Sequence, residues 1–283
     1  MGVGKSGLRS LEPGRVGLGD LPESCIAIIL GRLSPPEICR LAEMNRAFYG
    51  ASLSDFVWET KLPGNYEFLV RKLFDENPNT LSKREIFSRL CGPIRFDAGT
   101  KEIWVDRRSG KMCMAISWKG MKITRINDRR CWSHIQSEES RFHAIAYLKQ
   151  VWWLEVGGEL EFNFPAGTYS LFFRLQIGKS SKRFGRRVCN LDGVHGWDMK
   201  PVRFQVSASN GQHAVSQCYV KQTGNWVSYH AGDFTVEDHH MPMKINFSLA
   251  QIDCTHTKGG LCLDSVVICP CEIADRLQES QFL

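Results

Sequence analysis

The spacing of apolar residues changes once along this chain, near residue 98, and no other feature constrains its fold as much. Before that point apolar side chains recur every three or four residues, the period of an amphipathic helix. After it they alternate with polar ones between Gly-rich turns, the period of a half-buried strand. Helices followed by a run of strands predict separate units rather than an interleaved α/β fold. The expected fold class is therefore α+β and multidomain: an N-terminal three-helix module and a helical linker, then an antiparallel β-sandwich. A length of 283 residues fits two domains, and a hydrophobic fraction of 43% is enough for packed cores.

The helical half carries its own punctuation. Leu21-Pro22 opens the first segment, since proline suits a helix start, and Ile26, Ile29, Leu30 and Leu33 follow as one stripe. Ser34-Pro35-Pro36-Glu37 supplies a cap, first-turn prolines and the acidic residue of a capping box. Ile38, Leu41 and Ala42 make the next stripe; Phe48, Leu53, Phe56 and Trp58 follow. Three helices within residues 20–63 bury too little surface to be very stable alone, so such a module gains by packing on a partner or on the next segment. Residues 64–98 read as a helical linker. Leu69, Val70, Leu73 and Phe74 share a face, Asn77-Pro78-Asn79 breaks it, Ser82-Lys83-Arg84-Glu85 caps a second helix, and Gly92-Pro93 ends it.

Residues 99–271 read as strands. Leu160, Phe162 and Phe164 alternate with Glu159, Glu161 and Asn163, and residues 169–177, 202–206 and 245–249 repeat the pattern. Gly157-Gly158 and residues 106–110 are turn signals. Residues 140–150 fit either a short helix or an irregular strand. Trp152 and Trp153 are consecutive, so they are expected on opposite faces of a strand, one of them in the core. Residues 1–19, with six glycines, are expected as a flexible tail, and residues 272–283 as a C-terminal tail.

The stretch Leu21-Pro22-Glu23-Ser24-Cys25-Ile26-Ala27-Ile28-Ile29-Leu30-Gly31-Arg32-Leu33 resembles the opening of an F-box. So do Ser34-Pro35-Pro36-Glu37-Ile38-Cys39-Arg40-Leu41-Ala42 and the closing Phe56-Val57-Trp58, while Met44-Asn45-Arg46 departs from the Val-Cys-Arg-like run of many F-boxes. The resemblance implies docking on a Skp-family adaptor, and through it on a cullin. Leu21, Pro22, Ile26, Ile29, Leu30, Leu33, Ile38 and Leu41 are the expected adaptor-binding residues. Some of them must instead form the module's own core, and the sequence does not sort them.

Farther along, Asn127-Asp128-Arg129-Arg130-Cys131-Trp132, Ser140-Arg141-Phe142 and residues 148–156 and 259–268 resemble the plant phloem protein two (phloem lectin) family. That resemblance implies a sandwich of jelly-roll type and binding of N-acetylglucosamine oligomers or N-glycan cores. Trp118 and Trp132 are the nearest counterparts of the two tryptophans that stack on sugar rings in lectin members, although Cys131 stands where an aromatic is usual. Core packing is the competing role for each tryptophan. Together the two resemblances imply the substrate-recognition subunit of an SCF-type (Skp-cullin-F-box) ubiquitin ligase. It would be a non-catalytic adaptor whose sandwich binds the target, a glycoprotein held through its glycan. The alternative is a carbohydrate-binding, lectin-like protein whose F-box serves turnover or localisation.

The remaining features exclude more than they add. No apolar run lies within the first twenty residues, and the longest, residues 25–30, is far too short to cross a bilayer. A cytoplasmic or nuclear location is expected, with the 11 cysteines as reduced thiols. Cys254, His256, Cys262, Cys269 and Cys271 lack the paired knuckles of a structural zinc site. His195 with Asp198, and His239-His240, lack a nucleophile motif. No metal, cofactor or catalytic residue is expected. A net charge of +6 does not by itself point to nucleic acid. The run Lys179, Lys182, Arg183, Arg186 and Arg187 fits a solvated loop, with a nuclear address or an anion-binding patch as its functional reading. Gly2 and Ser6 occupy the positions of a myristoylation signal, the one route to a membrane, against a plain disordered start.

Overall fold

The computed structural model describes residues 21–183, 186–238 and 241–279, and the chain divides between Lys61 and Leu62 into two compact units. Among the described residues of the first unit four helices stand where three were expected: α1 (Glu23–Leu30), α2 (Pro35–Ala42), α3 (Arg46–Ser52) and α4 (Asp55–Glu59). The extra break falls at Ser54, whose extended backbone puts Phe56 and Trp58 on a short helix of their own. The capping box forms: the Glu37 carboxylate accepts from the Ser34 N–H at 2.8 Å and from its hydroxyl at 2.6 Å. Asn45 caps α3 by accepting from the Phe48 N–H at 2.9 Å. Ile26, Leu30, Ile38, Phe48, Val57 and Trp58 are buried, and the Trp58 indole donates to the Ser52 carbonyl at 2.6 Å. Lys61 donates to the Gly31 carbonyl at 2.7 Å, placing a cation at the carbonyl end of α1.

The second unit begins with α5 (Tyr66–Phe74) and α6 (Lys83–Leu90). Their buried face holds Leu69, Val70, Ile86, Phe87 and Leu90. Phe68 meets Phe162 edge-on at 5.3 Å, and the Asn65 amide donates to the Asn163 carbonyl at 2.6 Å. The expected linker helices are thus built onto the β domain.

Fifteen strands follow among the described residues. They are β1 (Ile94–Phe96), β2 (Lys101–Val105), β3 (Met112–Ser117), β4 (Lys122–Ile123), β5 (Trp132–Gln136), β6 (Ala144–Leu148), β7 (Leu154–Phe162) and β8 (Gly167–Ile177). After them come β9 (Lys179–Arg183), β10 (Arg186–Asn190), β11 (Val202–Ala208), β12 (His213–Cys218), β13 (Trp226–Val236), β14 (Met243–Gln251) and β15 (Leu261–Pro270). Residues 140–150, ambiguous by sequence, contribute β6. Of the basic run, Lys179, Lys182 and Arg183 fall on β9 and Arg186 and Arg187 on β10, which pair antiparallel.

All the strand ladders are antiparallel. In the eight-stranded sheet β15 is central: β8 then β13 lie along one edge, and β3 and β6 share the other, leading to β2–β1 and to β5. The five-stranded sheet runs β12-β11-β14-β7-β4. The sandwich core lies between them, with Phe173 against Phe204 and Phe247 at 5.6 and 6.0 Å. Gly158 is required there, because a Cβ on it would sit 2.3 Å from the Phe247 ring.

Strand alternation sends Ser170, Phe172, Arg174 and Gln176 of β8 to the outer face of the larger sheet. One end of that face is apolar: Phe172, Trp104, Cys113, Ala115, Phe142 and Val267 cluster with Ile273 and Ala274. The last two belong to α7 (Cys271–Glu279), which replaces the expected C-terminal tail. The helix forms because its apolar side covers this half of the sheet, and an Arg276–Asp106 ion pair at 2.6 Å anchors it. The other end of the face stays open.

Candidate recognition site

The open end of the outer face is a groove of about 510 Å³, lined by Ile135 and Gln136 of β5, Glu138, Gln176 of β8, Lys179 and Trp226 of β13. Behind it runs a buried polar chain. Register shifts between Leu263 and Ser265, a bulge that turns Asp264 toward Arg174. Arg174 donates to the Asp264 carboxylate at 2.7 Å, and both side chains are almost fully buried. Arg174 also donates to the Glu139 carbonyl at 3.0 Å and lies over the Trp226 ring at 4.5 Å. Trp226 donates its indole N–H to the Glu139 carboxylate at 2.8 Å. Ser140 and Ser265 donate to the two oxygens of Asp264. A rigid, half-buried tryptophan edged by amides and carboxylates can pack on the apolar face of a polar ligand while hydrogen bonding its rim.

The two tryptophans singled out by resemblance lie elsewhere. Trp118 is 5% exposed and donates to the Ala144 carbonyl at 3.0 Å; Trp132 is 2% exposed and donates to the Thr124 carbonyl at 2.9 Å. A ring must show a face to stack on a sugar, and both rings are packed inside the domain instead. Trp152 and Trp153 depart from expectation in the opposite sense: both are exposed, at 58% and 50%. They precede β7 rather than belonging to it, so strand alternation does not govern them.

In the helical unit the eight expected docking residues separate into groups. Ile26, Leu30 and Ile38 are core; Leu21, Leu33 and Leu41 are half-buried; Pro22 and Ile29 are exposed. Ile28, Met44 and Phe56 fall within the F-box-like stretches and Leu53 in a helical stripe, but neither they nor Tyr49 stand among the expected docking residues. All five are exposed large side chains of this unit. Ile28 lies off the buried Ile26, Ala27 and Leu30 stripe of α1, a legible signal, whereas Met44 and Leu53 lie outside the helices.

The other constellations do not converge. His195 points Nδ1 at the Gly193 carbonyl, at 2.8 Å. Cys262 and Cys269 are buried in β15, and burial pushes each thiol up to about 12, while Cys254 is exposed. Among the described residues no three His, Cys, Asp or Glu side chains gather as metal ligands would. Gly2, His239 and His240 lie outside the described residues.

The phloem protein 2 family model matches residues 111–270. The F-box protein PP2-A13 of Arabidopsis thaliana is 56% identical over 266 residues, covering 93% of this chain and 92% of the relative. The F-box protein PP2-A11 of the same plant is 55% identical over 270 residues, covering 95% and 92%. Among solved structures, a family 35 carbohydrate binding module from Clostridium thermocellum is 8% identical, covers 55% of this chain and 97% of that one, and superposes with a TM-score of 0.30, too loosely to carry an argument. The domain match and the near full-length identity place the chain in one family: it belongs to the plant F-box proteins that carry a C-terminal phloem protein 2 domain.

Proposed function

We propose that this chain is the substrate-recognition subunit of an SCF-type ubiquitin ligase, cytoplasmic or nuclear, with no bond-making chemistry of its own. The observation that carries the reading is the surface of the helical unit. A module of four short helices leaves Ile28, Met44, Tyr49 and Phe56 more than half exposed and Ile29 and Leu53 above a third. Exposed apolar side chains in such number on so small a unit mark a docking face. A Skp-family adaptor covers it and leads to a cullin. The β domain then holds the target, and transfer follows from the raised effective concentration of the target's lysines. Co-expression with a panel of plant Skp-type adaptors and a cullin, followed by gel filtration, tests this. A co-eluting assembly supports it; a chain that elutes alone beside every adaptor defeats it.

The groove beside Trp226 favours a glycan on the target, or a lectin-like role in its own right, because it pairs an aromatic wall with amide and carboxylate groups. A glycan array read with the full chain and with Trp226→Ala decides this point. Binding lost in the variant supports the glycan reading; no binding, or binding that survives the substitution, removes it.

A further inference from the structure

Two adjacent exposed tryptophans are costly to keep in water, and here the backbone is built to hold them out. Val151 and Lys258 exchange both backbone hydrogen bonds, at 2.9 and 2.8 Å. The Lys258 side chain is fully buried, and its ammonium donates to the Trp152 carbonyl at 2.6 Å, to the His256 carbonyl at 3.3 Å and to the Asp253 carbonyl. One internal cation therefore clamps the tryptophan loop to the loop that carries Ile252, itself 62% exposed. A clamped loop loses little conformational freedom on binding, which is what an interface anchor requires.

The charge around this loop is lopsided. Lys149 donates its backbone N–H to the Cys131 carbonyl at 2.7 Å and its ammonium to the Arg129 carbonyl at 2.8 Å, so the turn before β5 lies alongside. That turn and Lys149 bring Arg125, Arg129, Arg130 and Lys149 against one carboxylate, Asp128, which Arg130 already pairs at 2.9 Å. Asp253 accepts from the Thr255 N–H within its own turn at 2.8 Å, and Glu155 follows on β7.

We propose that Trp152 and Trp153 form a docking platform for an acidic polypeptide segment, its apolar residues on the two indoles and its carboxylates toward Arg129 and Lys149. Each tryptophan is only about half exposed, which suits an anchor packed against another polypeptide better than a wedge standing out to enter a bilayer. This platform goes beyond the glycan groove and does not depend on it.

The test uses the full chain and an array of twelve-residue peptides in which Asp and Glu flank a Leu or Phe, beside the same peptides with Asn and Gln. The acidic set is expected to bind and the amide set not to. Trp152→Ala/Trp153→Ala and Arg129→Glu/Lys149→Glu should each weaken binding about tenfold or more. Val215→Ala, at an exposed apolar site on β12, should leave it unchanged. Equal binding of the two peptide sets, binding untouched by either double variant, or binding of the chain to phosphatidylserine vesicles in place of the peptides overturns the proposal.

Discussion

Replacing Asp264 with Asn tests whether the polar chain behind the groove is built as described. The side chains of Arg174 and Asp264 are 4% and 0% exposed, so the guanidinium has no water to turn to when its counter-charge goes. Breaking such a pair from one side costs about 3–5 kcal/mol, because the surviving charge stays buried without compensation. Asn keeps the shape and an acceptor, so the lower end, about 3 kcal/mol, is the expectation. For a unit of this size each kcal/mol lowers the melting temperature by about 2–4 °C, giving a fall of roughly 6–12 °C. Calorimetry on the full chain reads it. The same variant should shift the indole N–H resonance of Trp226, since Arg174 lies over that ring and braces Glu139, its hydrogen-bond partner. Arg174→Met/Asp264→Leu removes both charges and should recover most of the loss. A single variant that melts within about 1 °C of wild type would mean that the pair is not a buried, uncompensated charge when broken, since each kcal/mol is worth about 2–4 °C.

Two further outcomes follow from the packing. Burial alone would raise the pKa of Asp106, but hydrogen bonds from Ser109 and the Arg276 guanidinium outweigh it and hold the carboxyl below its ordinary value. A depressed carboxylate stabilises the fold above its unfolded pKa near 3.9, and that contribution disappears as pH falls through the folded value. Melting temperature should therefore drop with acid below about pH 4, and less steeply in Arg276→Gln, as a pH series of melts would record. Gly158→Ala puts a methyl group 2.3 Å from the Phe247 ring and should destabilise by about 1–3 kcal/mol in a denaturant titration.

The periodicity switch placed the two architectures correctly because period is a local property. Helix starts at Ser34 and Ser82 were legible for the same reason, since a cap and its acidic partner sit three residues apart. What escaped depends on distant partners. Arg174 and Asp264 are 90 residues apart, and no pattern in either segment announces their pairing. Period two put Trp153 or Trp152 in the core, yet the loop is shaped by Lys258, 106 residues beyond Trp152, whose burial could not be read from a lysine in a Gly-rich stretch. The resemblance singles out Trp118 and Trp132 as sugar-stacking counterparts, but which way each ring faces is decided by the Ala144 and Thr124 carbonyls. Residues 272–283 read as a tail by sequence, and the Phe172 cluster gives the apolar side of α7 a reason to fold.

The proposed adaptor docking rests on apolar side chains that the helical unit leaves exposed. Titration calorimetry of the full chain against a plant Skp-type adaptor, with wild type beside Ile29→Ser/Phe56→Ser, tests it most directly. Both residues are exposed, so the variant should melt as wild type does. Each truncation should forfeit about 1–2 kcal/mol of apolar burial at the interface, weakening binding by roughly 30- to 700-fold in total. One-to-one binding by wild type, weakened in that range by the variant, is the predicted result. Binding unchanged in a folded variant, or no binding by wild type to any adaptor of a panel, would contradict the account.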